Sequence, residues 1–144
     1  MEIRKGYINI EKPSINPYKL FKKTEIRVKS LLRHTIEAVE NGKNPELTSE
    51  GTSGVYMIEN NENQKIAIFK PFDEEVNAPN NPRGRVGQLG SDGICKGILS
   101  GECATREVAA YLLDSKVGCY HGVPTTTYIE FYHPNFTNNK EPIL

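Results

Sequence analysis

The fold is decided by the stretch VYMIENNENQKIAIFK, residues 55–70. Two short runs rich in β-branched and aromatic side chains, 55–58 and 65–70, flank a polar turn at 60–63. Such runs around a polar turn predict an antiparallel β-hairpin. Pro71 cannot donate a ladder hydrogen bond, so we expect the second strand to end there.

Upstream of the hairpin, the apolar residues between Ile26 and Val39 recur at mixed three-to-five spacing, which predicts an amphipathic helix. Asn41-Gly42 is expected to end this helix, and Asn16-Pro17 suits a helix start further upstream. Residues 1–15 have no clear period and are expected to form an extended arm.

Downstream, residues 72–101 are rich in Gly, Pro, Asn and Asp, and a loop of that length is usually functional or disordered. A helix is predicted over 103–115, ended by Gly118, and a β-branched and aromatic strand over 125–132. The polar tail from residue 135 onward is expected to fray. The apolar stripe of the helix predicted over 103–115 consists of Ala104, Val108, Tyr111 and Leu112.

Charge and composition narrow the classes of function. The chain has 144 residues, enough for one domain or lobe, and no net charge. Residues 1–43 hold ten basic and five acidic residues (+5), and residues 44–144 hold eight and thirteen (−5). The basic segment is either a solvated helix face or a region weakly attracted to anionic lipid headgroups. Nucleic-acid binding is not expected, because no basic patch is interleaved with aromatic residues and the pI is about 6.8.

The three cysteines, Cys95, Cys103 and Cys119, have spacing that fits neither a zinc site nor a disulfide framework. They indicate reduced thiols in a cytoplasmic protein. The sequence shows no signal peptide and no apolar run as long as a membrane span, so any membrane contact is expected to be peripheral.

A candidate phosphate-binding turn, Gly51-Thr52-Ser53-Gly54, comes just before the first strand. Its two glycines let the backbone approach a ligand closely, its successive amides could face phosphate oxygens, and its hydroxyls add donors. A turn of this composition that opens a hairpin is more often only a turn.

Lys70 and Glu107 are the candidate charged pair. By the strand period of two, Lys70 shares a face with Ile66 and Ile68, and Glu107 lies beside the apolar stripe of the later helix. Lys70 either snorkels at the sheet edge or binds the α- and β-phosphates of ATP, with Ile68 against the adenine. Glu107 pairs either with Arg106 or a local backbone donor, or with Lys70. We expect Lys70 and Glu107 to point inward and to lie within salt-bridge reach.

Residues 30–136 resemble the start of the catalytic domain of type II phosphatidylinositol 4-kinases, within the phosphatidylinositol 3-/4-kinase family. The plant-type members, which often carry ubiquitin-like domains, are the most similar. Five strings carry the resemblance in order: LTSEGTSGVY (47–56), AIFKPFDEE (67–75), APNNPRG (78–84), REVAAYLLD (106–114) and GVPTT (122–126).

The resemblance implies that residues 51–55, including Val55, form the nucleotide loop, that Lys70 binds ATP phosphates and that Glu107 orients it. It also implies that Met57 and Ile68 contact the adenine. No role is implied for Asp73-Glu74-Glu75 beyond bracing the loop.

Two departures from the family pattern concern the nucleotide loop and the membrane anchor. Val55 replaces a serine found in animal-type members, which removes one possible phosphate contact. The cysteine-rich palmitoylation stretch of those members is absent, which argues against stable anchoring.

The predicted fold class is α+β: a protein-kinase-like N-lobe with a small antiparallel sheet, one packed helix and an N-terminal helix. Residues 1–25 would be an arm and helix start, 26–136 the lobe and 137–144 a tail. The cofactors implied are ATP and Mg²⁺. The Mg²⁺ ligands and the residues that handle the acceptor lie outside this chain, so we expect the chain alone to be inactive and hold no metal site.

The predicted function is phosphorylation of phosphatidylinositol by the complete enzyme. Two alternatives stay open, a protein Ser/Thr kinase of the same fold with a protein acceptor, and a non-catalytic adaptor or pseudokinase lobe.

Overall fold

The computed structural model describes residues 22–131 and 133–136 and has an α+β architecture. A three-stranded antiparallel sheet in the order β1-β2-β3 is accompanied by two helices. The arm over 1–15, the helix start at Asn16-Pro17 and the tail over 137–144 lie outside the described residues. The elements are α1 (Lys22–Glu40), β1 (Glu46–Leu47), β2 (Tyr56–Glu59), β3 (Lys65–Phe69), a 3-10 helix (Phe72–Glu74) and α2 (Cys103–Lys116).

The predicted hairpin is confirmed as β2 and β3. Tyr56 pairs with Phe69 and Met57 with Ile68, and the register shifts between Ile58 and Glu59. The side chain of Asn60 stabilises the turn, because its carboxamide oxygen accepts the N–H groups of residues 62 and 64, both at 2.9 Å. Strand β1 was not predicted. It has only two residues, too few to show a period of two.

The predicted helix over 26–39 is confirmed within α1, which packs against β2 and β3 and buries Ala38 and Val39. Its end has the geometry of a Schellman motif. Gly42, at a φ of +85°, donates its N–H to the carbonyl of Val39, and Lys43 donates to Ala38, both at 3.0 Å.

The predicted strand over 125–132 is wrong, since residues 125–131 have no regular secondary structure. β-branched composition favours extended backbone, but a strand also needs a neighbour to form a hydrogen-bonded ladder. Aromatic rings hold the region instead. The ring centroids of Phe131 and Phe136 each lie 5.2 Å from that of Phe69, and Phe136 lies 4.8 Å from Tyr56.

Helix α2 confirms the predicted helix over 103–115, and Val108 and Tyr111 of its stripe are buried. Gly118, at a φ of +81°, follows its last turn as expected. The buried carboxylate of Asp114 then accepts the N–H groups of His121 at 2.8 Å and Val123 at 2.9 Å. The His121 bond, followed by that of Val123, lowers the pKa of Asp114 although burial opposes the shift.

Residues 72–101 are mostly irregular, as predicted, but they are not without order. After the 3-10 helix the loop folds back on itself, and Asp92 and Leu99 form an isolated antiparallel bridge. Several of its polar side chains are buried, among them Glu74, Glu75 and Asn81. A buried polar side chain needs partners, and those partners determine the geometry of the site.

Candidate functional site

Lys70 and Glu107 form an ion pair between the end of β3 and the first half of α2. The predicted salt-bridge reach is therefore confirmed, across 37 positions of sequence. Because both side chains are 48% exposed, the pair lies at the surface of the described chain. A pair at this exposure contributes little to stability, of the order of 0–1 kcal/mol.

The expectation that both groups point inward is wrong. On the hairpin, the covered face carries Tyr56 and Phe69, on which the rings of Phe131 and Phe136 pack. Helix α2 turns Val108 and Tyr111 inward and leaves Glu107 at the edge of its buried face. The charged pair consequently lies beside the uncovered side of the sheet.

The open face of the hairpin is the side that carries Met57 and Ile68. These two residues are directly paired across β2 and β3, so their side chains lie on the same face. Met57 is half-buried, whereas Ile68 is 56% exposed. The structure thus brings together an exposed apolar patch and the Lys70 ammonium at the end of one strand. Contact of Met57 and Ile68 with adenine stays a prediction.

The glycine turn is built differently from the expectation. Gly54 donates its N–H to the carbonyl of Glu74 at 3.0 Å, so this amide is used within the fold. A Cβ at Gly54 would lie 1.9 Å from Oε2 of Glu74. The lack of a side chain at this position therefore accommodates Glu74, and contact of Gly54 with a phosphate stays a prediction. Gly51 has a φ of +106° and open space around it. A glycine is therefore needed at this position for its backbone conformation and not for lack of space.

Thr52, Ser53 and Val55 lie between and beside these glycines, and all three are half-buried. The carbonyl of Val55 accepts the N–H of Thr48 at 2.9 Å, and the carbonyl of Thr52 accepts a side-chain N–H from Asn81. The contacts of the turn with phosphate stay a prediction for these residues.

Asn81 and Arg83 tie the long loop to the glycine turn, and sequence reasoning assigned neither a role. The amide nitrogen of buried Asn81 donates to the carbonyls of Thr52, Glu74 and Glu75 at 2.9, 3.2 and 3.0 Å. The guanidinium of Arg83 donates to the carbonyl of Thr48. The string APNNPRG contained both residues, but only the fold reveals that they hold the turn.

The Asp73-Glu74-Glu75 run braces the structure, and each carboxylate has a separate partner. Asp73 accepts an N–H from the side chain of Asn80 at 2.9 Å, and Glu74 accepts the hydroxyl of Tyr56 at 2.8 Å. Glu75 accepts backbone N–H groups at the start of α2. The expected bracing role is thus confirmed.

Two further groups near the site have shifted pKa values. Burial, followed by a hydrogen bond and the charge of Glu75, raises the pKa of the Cys103 thiol from 9.0 to about 11. Burial lowers the pKa of His133, whose ring lies 5.9 Å from that of Phe136. The N–H of Asn135 donates to Nδ1 of His133 at 3.1 Å, so Nδ1 acts as an acceptor. His133 belongs to the aromatic cluster rather than to the charged pair.

Within residues 22–131 and 133–136, no group of three or more His, Cys, Asp or Glu side chains is arranged to hold a metal ion. In the same part of the chain, no helix is long and apolar enough to span a bilayer. The three cysteines are free thiols.

Comparison with known proteins finds relatives that are named as kinases. The chain is 39% identical over 122 residues to phosphatidylinositol 4-kinase gamma 4 of Oryza sativa subsp. japonica, a match that covers 78% of this chain and 22% of that protein. It is 35% identical over 150 residues to phosphatidylinositol 4-kinase gamma 4 of Arabidopsis thaliana, covering 94% and 26%. Phosphatidylinositol 4-kinase gamma 7 of Arabidopsis thaliana is 40% identical over 113 residues, covering 78% and 17%.

These relatives fit the plant phosphatidylinositol 4-kinase gamma family, in agreement with the resemblance seen in the sequence. The chain spans about a quarter or less of the length of these relatives. No protein-family model matches it, and no solved structure matches it. The assignment as a kinase N-lobe therefore belongs to the proposal that follows.

Proposed function

We propose that this chain is the ATP-facing part of an enzyme that phosphorylates phosphatidylinositol on its inositol ring. The observation that carries the proposal is the ion pair between Lys70, at the end of β3, and Glu107 on α2. In kinases, a strand lysine held by a helix glutamate is the group that binds the nucleotide phosphates. The names of the relatives support the lipid substrate.

The surroundings of Lys70 suit this role. An ammonium group has three N–H donors, and Glu107 takes one of them, so donors remain for phosphate oxygens. The exposed side chain of Ile68 and its paired neighbour Met57 offer an apolar surface for a purine ring. Mg²⁺, bound by residues outside this chain, would neutralise the phosphate charge during transfer.

The first test is ATP binding by the 144-residue chain, compared between Lys70→Met and Lys65→Met. Both substitutions remove an exposed lysine from the same hairpin strand or its end, but only Lys70 pairs with Glu107. Loss of a charged hydrogen bond worth about 1.5–3 kcal/mol should weaken binding by roughly 10- to 150-fold in Lys70→Met. Lys65→Met should bind within about twofold of wild type.

Binding is measured by isothermal titration calorimetry with MgATP, and thermal melting checks that each variant is folded. If the unmodified chain binds no ATP, or if Lys70→Met binds as well as Lys65→Met, the nucleotide role is wrong. A folded chain without ATP binding would favour the non-catalytic adaptor.

The second test is turnover in the full-length protein, with phosphatidylinositol vesicles and a generic protein substrate offered separately. Lys70→Met should lower the rate roughly 10²- to 10³-fold, because it removes one preorganised charge from the transferring phosphoryl group. Transfer of the labelled phosphate to the protein substrate rather than to the lipid would favour the alternative, a protein kinase, over a lipid kinase. Lys65→Met again serves as the control.

We also propose a weak contact between the basic N-terminal segment and anionic membranes, which would bring the site to a lipid substrate. In the described part of this segment, Arg27, Lys29 and Arg33 are exposed on α1, although Lys29 pairs with Glu25. Each basic residue near an anionic surface adds about 1 kcal/mol. Sedimentation with vesicles containing phosphatidylserine should show binding that disappears in high salt. Binding equal to that seen with neutral vesicles would contradict the contact.

A further inference from the structure

We propose that Glu75 is a positioning residue that sets the distance between Lys70 and Glu107. This inference rests on the proposed function for its significance, but its basis is geometric. Glu75 follows Lys70 by five residues and is buried, with 7% of its surface exposed. Its carboxylate makes two hydrogen bonds with the first two residues of α2, the helix that carries Glu107, and one with Gly101 just before that helix.

The three bonds involve both carboxylate oxygens. Oε2 accepts the N–H of Gly101 at 2.8 Å and that of Cys103 at 3.3 Å, and Oε1 accepts the N–H of Ala104 at 3.2 Å. The first N–H groups of a helix have no partner within the helix and carry its positive end. A buried carboxylate at this place satisfies two of them, those of Cys103 and Ala104, and has the favourable charge.

These bonds connect Lys70 to Glu107 by a short path through the fold. Five residues lead from Lys70 to Glu75, the carboxylate of Glu75 binds the first turn of α2, and Glu107 lies one turn further along that helix. Along the chain, Lys70 and Glu107 are separated by 37 positions, mostly irregular loop. An irregular connection of that length constrains the distance between Lys70 and Glu107 only weakly. The contact at Glu75 replaces it by a connection of five residues on the Lys70 side and about one helical turn on the Glu107 side.

The ion pair itself cannot set this geometry. Both of its side chains are half exposed, and a pair of that kind is weak and readily separated by water. The bonds of Glu75 are charge-assisted and shielded from solvent, so they are the stronger constraint. Loosening the start of α2 should therefore separate Lys70 and Glu107 even though neither residue has been changed.

Glu102 provides a matched control at the same end of α2. It is exposed, and its carboxylate accepts the N–H of Leu99, three residues away, at 3.0 Å. Glu102→Gln and Glu75→Gln remove the same charge from the same helix end. Of these two carboxylates, Glu75 connects that end to the segment that follows Lys70, whereas the bond of Glu102 stays within its own end of the helix. A general loss of helix stabilisation would appear in both variants, whereas a loss of positioning would appear in Glu75→Gln alone.

The experiment is zero-length carbodiimide coupling of the 144-residue chain, which joins a lysine amine to a carboxylate only where the two are in contact. Mass spectrometry of the peptide pair that contains Lys70 and Glu107 measures the yield, and Glu107→Gln gives the background. Circular dichroism at the reaction temperature establishes which variants are folded. We expect Glu75→Gln to lower the yield at least about fivefold and Glu102→Gln to leave it within about twofold.

A yield in folded Glu75→Gln within twofold of wild type would overturn the proposal, as would an equal loss in Glu102→Gln. If Glu75→Gln does not fold, Glu75→Asp retains the charge with a reach shorter by one methylene and is judged by the same thresholds. If both Glu75 variants are unfolded at 10 °C, Glu75 stabilises the whole fold rather than one distance, and the proposal fails. No nucleotide is present in this assay, so the positioning role and ATP binding can fail independently.

Discussion

The two faces of the hairpin are formed by adjacent residues of the same strands, yet they have opposite environments. On the covered face, Tyr56 and Ile58 are almost completely buried. On the open face, Ile68 is more than half exposed, although its immediate neighbour Phe69 packs against two aromatic rings. One face stabilises the fold, and the other leaves apolar surface beside a lysine. Substitutions on the two faces should accordingly affect stability and binding differently.

The largest contrast in stability should come from two isoleucines on adjacent strands. Ile58 is 1% exposed and Ile68 is 56% exposed. Ile58→Ala should lower the free energy of unfolding by about 2–5 kcal/mol, because it leaves a cavity in the core. Ile68→Ala should change it by no more than about 0.5 kcal/mol. Urea unfolding of both variants measures the contrast, and similar losses would show that the open face is covered in solution.

A second contrast distinguishes the two glycines of the turn. Gly54→Ala should cost about 1–3 kcal/mol, because the new methyl group overlaps the buried side chain of Glu74. Gly51→Ala meets no neighbouring atom and carries only the backbone cost of its positive φ, about 1 kcal/mol.

Double-mutant cycles with Glu74→Ala separate these two causes. The cycle should show a coupling of at least about 0.5 kcal/mol for Gly54 and none for Gly51. Additive losses at Gly54 would contradict the close contact with Glu74.

The thiol of Cys103, which belongs to an exposed residue, tests the local environment that partial burial and Glu75 create at the start of α2. With its pKa raised to about 11, the thiolate fraction at pH 8 falls about 100-fold relative to an ordinary pKa of 9.0. A more basic thiolate is also more nucleophilic, which offsets part of the loss of thiolate. Alkylation should therefore be roughly tenfold slower than for a thiol of ordinary pKa.

Iodoacetamide labelling at pH 8, followed by peptide mass spectrometry, measures this rate against the same thiol in the urea-unfolded chain. Exposed Cys95 is the internal reference for access of the reagent. Equal rates for Cys103 in the folded and unfolded chain would contradict the raised pKa.

The smallest expected effect is the pH dependence that Asp114 adds. Its pKa is lower in the folded chain than its ordinary value of 3.8, so its stabilising contribution is present above that value and is lost as the pH falls through the lowered value. The difference in stability between wild type and Asp114→Asn should therefore narrow between about pH 5 and pH 2. Asp92→Asn, at an exposed position, is the control. A constant difference for Asp114→Asn would show that its two backbone bonds do not favour the carboxylate.

The sequence predicted local structure better than distant packing. The alternation in 65–70 and the stripe in 103–115 identified β3 and α2, because each period reports which residues share a face. The same periods allowed a pair between Lys70 and Glu107 as one of several possibilities, and the resemblance to a kinase family favoured it. The prediction that Lys70 and Glu107 point inward was wrong, since a period shows which residues share a face but not which face becomes buried. That depended on Phe131, in a segment that was predicted to be a strand, and on Phe136, in a tail that was expected to fray but is buried here.

The residues that support the site were the least predictable. Glu75, Asn81 and Arg83 act through side-chain hydrogen bonds to backbone groups up to 35 positions away. An irregular loop has no period, so nothing in its composition indicates which polar groups are buried. The Asp73-Glu74-Glu75 run was visible in the sequence, but its three separate partners could be identified only in the fold.

By itself, the sequence determined the hairpin, the helices and the resemblance to a kinase family, because turn chemistry, periodicity and short strings are properties of neighbouring residues. Tertiary structure alone decided which face of the sheet stays open, why Gly54 has no side chain and how Glu75 joins α2 to the segment after Lys70. The physical reason is that burial and the pairing of buried polar groups depend on segments far apart in the chain.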